Sequence, residues 1–358
     1  MKIVVALSAS TRGGIDFFQS LLDKHTQISQ FPGELYIDEL IAEFKYMKSV
    51  DEISNTFIKK YQRYFDSSSS IIERHNCLGE KKNQSYKVCT SSFKKYFNSF
   101  LEQKSLNTKN IIHGLHLAYS AASGEDTNKK KIILLQVHHL FRIKSMIDLD
   151  FDIICTIRDP LAAYNSYVKN LAYYRKKTPN PWQFYYHLER TFNHLNYIIK
   201  LKRKIIIIKL EDLHRENKKV MKKLCNYFDI NYENTLSISS FHGLLWWGDQ
   251  VSKKNLNGVN SNFENKIDKN IFFENDIRLI EYNLSDFINK YCYEFRYEKN
   301  KNKILKFLPL KFELEMFISN FKNFEFKNLL FVFYYYLKRL IKINIKKNNE
   351  NIILPEKF

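Results

Sequence analysis

The chain has 358 residues, and its balance of 44% hydrophobic and 27% charged residues is typical of a globular protein and excludes a disordered one. A formal net charge of +19 is compatible with nucleic-acid binding. Lysine greatly outnumbers arginine, however, and the chain is also rich in Asn, Ile, Phe and Tyr. This mixture indicates an AT-rich coding bias, so we expect no nucleic-acid partner.

Short apolar, β-branched runs alternate with longer helical patterns, and this alternation predicts an α/β fold with a mostly parallel central sheet flanked by helices. The predicted strands cover residues 3–7, 131–137, 152–157 and 204–210. Apolar residues at helical spacing predict helices around residues 17–22 and 188–199. We expect loops or turns at residues 67–70, 107–110 and 124–131.

Residues 298–358 differ in character from the rest, so we predict one domain over 1–297 followed by a basic, aromatic-rich helical extension. Two interpretations of the extension stay open. It is either a helix that closes the core, or a segment that lies on a membrane surface with its lysines towards anionic headgroups.

The five cysteines are widely spaced and form no C-x-x-C pair, which indicates reduced thiols in a reducing compartment. The apolar run at residues 3–7 is too short for a signal peptide. No stretch reaches the roughly 18 apolar residues of a membrane-spanning helix. We therefore expect a cytoplasmic protein.

The loop Ser10-Thr11-Arg12-Gly13-Gly14-Ile15-Asp16 lies between the first predicted strand and the first predicted helix. This layout suits an anion, because backbone N–H groups and the positive end of a helix dipole point towards it. Gly13 and Gly14 would let the backbone approach closely, and Arg12 adds a cation. A tight turn that needs glycine for steric reasons is the simpler alternative.

A second segment, Arg158-Asp159-Pro160, follows the predicted strand at residues 152–157. Asp159 can cap a helix, and Pro160 suits its first turn. Arg158 is therefore predicted at the carboxyl end of a strand, where α/β folds bind ligands. Ser166 lies eight residues further along, on the predicted helix.

These two segments, in this order, resemble the sulfotransferases that use 3′-phosphoadenosine 5′-phosphosulfate (PAPS). The resemblance covers about residues 2–260 and implies a three-layer, P-loop-like fold. It implies that the loop Arg12, Gly13, Gly14, Ile15 and Asp16 holds the 5′-phosphosulfate. Arg158 and Ser166 match the pair that binds the 3′-phosphate.

The stretch ending in Gly33-Glu34 resembles the carbohydrate and tyrosylprotein branches of that family. By this resemblance Glu34 is the expected catalytic base, Arg12 stabilises the leaving phosphate, and the acceptor is a hydroxyl of a carbohydrate or glycolipid. His113, His116, His138 and His139 are rival bases, each expected near the ligand-facing edge of the sheet, while His25 is expected to pack behind the loop. No histidine spacing suggests zinc, and the chemistry of the family needs no metal.

The late segment from Trp246 to Gly258 resembles the part of the family that closes over the nucleotide, so Trp247, Gly248 and Lys253 are expected nucleotide contacts. Asp249 and Lys254 are looser candidates for the same role. An aromatic lid packed on the core is the alternative interpretation of this segment.

The loop departs from the commonest family pattern, Arg/Lys-Ser-Gly-Thr-Thr, because two hydroxyl donors are replaced by Ile15 and Asp16. Asp16 either caps the helix with its carboxylate turned away from the ligand, or points inward and weakens PAPS binding. The second case would leave a non-catalytic binding protein at a membrane or polyanion surface. A nucleotide or sugar kinase is less compatible, because the Gly-Lys-Ser/Thr of a P-loop is absent from the sequence.

Overall fold

The computed structural model describes residues 1–175, 181–249, 258–265, 267–268, 270–297 and 307–349. The chain divides into two compact units. The first unit comprises Met1–Ser8, Gly14–Thr156 and Arg203–Phe263, and the second comprises Ala9–Gly13, Ile157–Lys202 and Glu264–Phe358. The domain boundary expected at residue 297 stays a prediction, since residues 298–306 lie outside the described part of the chain.

A parallel sheet with strand order β2-β3-β1-β4-β5 forms the centre of the first unit. Its strands are β1 Lys2–Ser8, β2 Ile28–Gln30, β3 Ile132–Gln136, β4 Phe151–Ile157 and β5 Ile205–Lys209. β1 pairs in parallel with both β3 and β4, and β2 pairs in parallel with β3. The predicted α/β fold is thus confirmed, and a strand forms in each predicted range.

Helices account for most of the remaining described residues. In chain order they are α1 Ile15–Leu21, α2 Ile37–Phe44, α3 Val50–Lys60, α4 Gln62–Phe65, α5 Thr90–Leu101, α6 Thr108–Ala122, α7 Pro160–Arg175, α8 Pro181–Lys200, α9 Leu210–Arg215, α10 Asn217–Phe228, α11 Glu274–Asn283, α12 Ser285–Lys290, α13 Lys311–Lys322 and α14 Phe326–Asn349. A short antiparallel pair, β6 Ser240–Phe241 and β7 Leu244–Leu245, follows α10.

Aromatic packing anchors the segment between β2 and α2 in the first unit. The Phe31 ring lies 5.1 Å from that of Phe57 on α3 and stacks 5.4 Å from that of Tyr64 on α4. Phe57 in turn stacks on Phe93 of α5, with ring centroids 5.7 Å apart. The Tyr64 hydroxyl donates to the backbone carbonyl of Glu34. Buried aromatic contacts of this kind hold Glu34 in a fixed place.

The predicted loops at residues 67–70 and 124–131 lie outside α-helices and strands, with a short 3-10 turn at Thr127–Lys129. The prediction of a loop at residues 107–110 is wrong for residues 108–110, which are helical. Asn107 caps α6, because its side chain accepts a hydrogen bond of 2.9 Å from the backbone N–H of Asn110, and the helix begins at Thr108. Asparagine favours both turns and helix caps, and here the cap prevails.

In the second unit, α7 begins as the sequence predicts. Asp159 Oδ1 accepts a 2.8 Å hydrogen bond from the backbone N–H of Ala162, and Pro160 is the first helical residue. The C-terminal part of the unit is helical, as expected, with α13 and α14 as a pair. Among the described residues, no helix combines the length and the apolar character needed to cross a bilayer.

Candidate functional site

The loop between β1 and α1 uses left-handed backbone conformations at two positions. Arg12 has φ 64°, and Gly14, the residue preceding α1, has φ 86°. A Cβ atom at Gly14 would lie 2.5 Å from Cδ1 of Leu210, which is buried in the first unit. Glycine at this position is therefore required by both the backbone conformation and the packing.

Three residues that are far apart in the sequence come together in the second unit; we call them the arginine cluster. Arg12 Nε donates a 3.2 Å hydrogen bond to Ser166 Oγ on α7. Arg158, directly after β4, donates from Nη1 to the Arg12 carbonyl at 3.4 Å. Two guanidinium groups and a hydroxyl are a donor set that suits a phosphate. Arg12 thus contacts both Arg158 and Ser166, the two residues that by resemblance bind the 3′-phosphate, and their role in binding stays a prediction.

The carboxylate next to this cluster is compensated by a different cation. Asp159, only 2% exposed, lies 2.8 Å from Nη2 of Arg296. The backbone N–H of Arg296 donates to Glu281 Oε1 at 2.8 Å, which fixes the position of the arginine. Arg296 is therefore the counter-ion of Asp159. Because Asp159 is already paired, it cancels less of the positive charge of Arg158.

A second group of side chains, in the first unit, alternates between acidic and basic residues. It consists of Asp16, His138, Glu34 and Arg142, and we call it the carboxylate–histidine cluster. His138 follows β3, and its Nε2 lies 3.3 Å from Asp16 Oδ1 while its Nδ1 lies 3.7 Å from Glu34 Oε2. Burial lowers the pKa of this histidine, but the nearby carboxylates of Asp16 and Glu34, with Glu73 further off, outweigh it and raise the pKa to about 9. The imidazole is therefore protonated at neutral pH.

The contacts of Asp16 bear on the two alternatives that the sequence left open for this residue. Gly14 precedes α1 and has no side chain to cap it, and Asp16 lies in the first turn of the helix. Its carboxylate accepts a 2.5 Å hydrogen bond from Gln136 Nε2 and pairs with His138. The negative charge that the unusual loop introduces is thus balanced by an imidazolium.

Glu34 is held on two sides within the same cluster. Its Oε1 accepts a 2.8 Å hydrogen bond from the backbone N–H of His138 and lies 3.1 Å from Nε of Arg142. Arg142 also contacts Asp38, at 2.5 Å. Arg142 and Asp38 were missed by sequence reasoning. The scarcity of arginine was the one signal that could have drawn attention to Arg142.

No protein-family model matches the sequence, and no curated protein matches it. Among solved structures, the "Sulfotransferase Domain from the Curacin Biosynthetic Pathway" is similar over 82% of this chain and 98% of that one, with 13% identity and a TM-score of 0.44. The "Sulfotransferase Domain from the Synechococcus PCC 7002 Olefin Synthase" is similar over 71% of this chain and 80% of that one, with 12% identity and a TM-score of 0.39. Both scores are low, so neither likeness carries a functional conclusion.

All four rival histidines were expected near the end of a strand, and for two of them this prediction is wrong. His113 and His116 lie on α6. His116 is buried against Phe31, with ring centroids 4.3 Å apart, and burial lowers its pKa to about 3. Burial also lowers the pKa of His113 to about 4. His139 does follow β3, and its ring stacks 5.4 Å from that of Phe141.

Trp247 is tied to the first unit by its own contacts. Its Nε1 donates a 2.7 Å hydrogen bond to the Gly79 carbonyl, and Lys82 lies 4.6 Å from the ring centroid. Gly248 has φ 81° and is buried. These contacts agree with a packed aromatic segment, and a role in nucleotide binding stays a prediction. Lys253, like Lys254, lies outside the described residues.

His25 is fully buried, and its Nε2 lies 2.8 Å from the carbonyl of Asn231. Burial lowers its pKa. Within the described part of the chain, no group of three or more His, Cys, Asp or Glu side chains is arranged to hold a metal ion.

Proposed function

We propose that the protein is a PAPS-dependent sulfotransferase that sulfates a hydroxyl group, in a carbohydrate or glycolipid acceptor. The observation that carries the proposal is the arginine cluster. Residues 12, 158 and 166 are separated by up to 154 positions, yet Arg12 is hydrogen-bonded to Ser166 and Arg158 to Arg12. These are the residues to which the resemblance assigns phosphate binding.

The donor set of the arginine cluster fits a nucleotide that carries a 3′-phosphate. Arg158 and Ser166 would hold that phosphate, and Arg12 would add a cation for the 5′ side. PAPS supplies the sulfuryl group when bound. Sulfuryl transfer is similar to phosphoryl transfer, in which positioning and stabilisation of charge on the oxygens are the main contributions of the protein.

The carboxylate–histidine cluster supports the acid–base part of the proposal. Glu34 is a carboxylate whose position is fixed by the His138 N–H and by Arg142, so it would accept the proton of an acceptor hydroxyl. His138 is a cation beside two carboxylates and would offset the negative charge of Asp16 in the loop. This compensation supports the enzyme over the non-catalytic binding protein, an alternative that rests on Ile15, Asp16 and the basic C-terminal segment.

The first experiment is a thermal-shift titration with the product nucleotide 3′-phosphoadenosine 5′-phosphate, with AMP and ATP as controls. A ligand at a hundred times its Kd adds about 2.7 kcal/mol of stability. For a chain of this length, that corresponds to a rise in Tm of roughly 3–4 °C. Arg158→Ala should abolish the rise, whereas Arg278→Ala, which removes an arginine paired with Glu274 in the same unit, should keep it.

Equal stabilisation by AMP or ATP, or no response to any nucleotide, would contradict the assignment of the donor.

The second experiment measures sulfuryl transfer to hydroxyl-bearing acceptors. Glu34→Gln should lower kcat by about 10²–10⁴ while the response to 3′-phosphoadenosine 5′-phosphate is unchanged. Glu39→Gln is the matched control, because Glu39 also pairs with Arg142, at 3.3 Å, but is exposed. Equal losses in the two variants would rule out Glu34 as the base.

A further inference from the structure

The helical hairpin formed by α13 and α14, which we call the C-terminal hairpin, buries charge and exposes apolar side chains. Glu313 on α13 and Arg339 on α14 are each 3% exposed at the side chain. Arg339 donates to both carboxylate oxygens of Glu313 at 2.8 Å. In a water-exposed hairpin the opposite arrangement is expected, with apolar residues inside and charges outside.

The outer face of α13 is a continuous apolar stripe. Leu314, Phe317, Ile318 and Phe321 follow one another at positions i, i+3, i+4 and i+7, and all four are exposed. The spacing places them on the same side of the helix. Phe321 alone is 64% exposed.

The longer helix α14 carries a similar stripe. Its exposed members are spaced at i, i+3, i+4, i+7 and i+11, namely Leu330, Phe333, Tyr334, Leu337 and Ile341. At the tip of the hairpin, Phe324 and Phe326 are also exposed, to 78% and 65%. Monomeric proteins in water rarely leave contiguous apolar surfaces of this kind uncovered, and such surfaces mark interaction sites.

The charges around the stripes indicate the chemistry of the partner. Lys322 and Lys327 are exposed near the tip, and Lys338 lies 5.8 Å from the ring of Tyr334. In the sequence of this region, Lys and Arg outnumber Glu, and the whole chain has a formal net charge of +19. Two copies of so basic a chain repel each other, whereas an anionic surface attracts it.

We propose that the C-terminal hairpin is a membrane-docking element that inserts its Phe- and Leu-rich face into the interface of an anionic phospholipid bilayer. The apolar stripes would replace contacts with water by contacts with acyl chains, and the lysines would lie at the level of the headgroups. No described helix is long and apolar enough to span the bilayer. The hairpin therefore binds parallel to the surface, and this role is independent of the proposed activity.

The test is co-sedimentation of the full chain with vesicles of phosphatidylcholine alone and of phosphatidylcholine with phosphatidylserine. Binding should be tighter to the anionic vesicles by about fivefold for each lysine near the surface, and it should weaken at high salt. Lys322→Glu/Lys327→Glu should lower this preference by at least about 25-fold, fivefold for each lysine, while leaving the weak binding to neutral vesicles.

The apolar part is tested with Phe317→Ser/Phe321→Ser. Moving each exposed ring into the bilayer interface should be worth about tenfold in affinity, so the double variant should bind anionic vesicles about a hundredfold more weakly. Leu330→Ser/Leu337→Ser removes the corresponding part of α14 and should behave in the same way. Because these side chains are exposed, each double variant should keep the Tm of the wild type.

The matched control is Tyr46→Ser/Ile238→Ser, which removes two exposed apolar side chains from the first unit. It should bind vesicles as the wild type does. The proposal is overturned if the wild type binds neither kind of vesicle, or if the control loses as much affinity as the hairpin variants. It is also overturned if light scattering shows a dimer that the Phe317 and Phe321 substitutions dissociate, since the hairpin would then be an interface between copies.

Discussion

We expect the stability of the wild type to depend on pH between neutral and alkaline pH, and His138→Gln should remove this dependence. The imidazole lies between Asp16 and Glu34, and these carboxylates raise its pKa from the ordinary 6.5 to about 9. The native state therefore holds this proton more tightly than the unfolded state does. The resulting stabilisation is complete below a pH of about 6.5, falls as the pH rises towards 9, and is lost above it.

The magnitude follows from the pKa and from the exposure of the side chain. Taken at face value, a pKa raised from 6.5 to about 9 corresponds to roughly 3 kcal/mol. The His138 side chain is 35% exposed, so water and salt screen its interaction with Asp16. We therefore expect about 1 kcal/mol, a third of the unscreened figure.

The assay is urea unfolding of the wild type and of His138→Gln at about pH 6 and about pH 9.5. Groups that titrate in both proteins cancel in the comparison, so the difference between the two proteins isolates His138. The wild type should lose about 1 kcal/mol more than the variant on going to high pH. His139→Gln, which removes the neighbouring imidazole that stacks on Phe141, should lose as much as the wild type. Equal losses in the wild type and in His138→Gln would refute the presence of an imidazolium between the two carboxylates.

One further substitution in each unit can be tested by urea unfolding: Gly14→Ala tests close packing in the first unit, and Arg339→Met tests a buried ion pair in the second. Gly14→Ala should cost about 2–4 kcal/mol, because a Cβ would lie 2.5 Å from Leu210 at a backbone φ of 86°. Gly124→Ala, at φ 75° with open space around it, should cost only about 1–2 kcal/mol, and an equal cost at both glycines would exclude the clash. Arg339→Met should cost about 3–5 kcal/mol, because it leaves the buried carboxylate of Glu313 unpaired. The double variant with Glu313→Gln should recover part of that loss, and no recovery would show that the buried charge is not the cause.

The regular part of the fold could be predicted from the sequence because it depends on neighbouring residues. Buried β-branched runs indicated β1, β3, β4 and β5, since a continuous apolar run needs cover on both faces of a strand. The start of α7 followed from Asp159 and Pro160, whose capping contacts reach only three residues along the chain. The three-residue strand β2 was missed, because so short a run has no periodicity of its own.

The sequence pattern gave a wrong prediction where the same run of residues is compatible with both a strand and a helix. Residues 111–120 combine apolar side chains with His113 and His116, which is compatible with either the end of a strand or a helix. Asn107 decides between them by capping α6, and Phe31, from a distant segment, covers His116. Burial lowers the pKa of both histidines and so favours their neutral form.

The sequence by itself determined the alternation of strands and helices, the loop with its glycines, and the order of the two arginine-containing segments. The tertiary structure alone decided which charges meet. The parallel register of β1 with β3 pairs Ala6 with Gln136, so that the residues after both strands lie at the same edge of the sheet. At that edge Asp16 meets His138, a residue 122 positions away. No short-range pattern specifies such a partner, because it depends on how distant strands pair and on which neighbouring charge best compensates a carboxylate withdrawn from water.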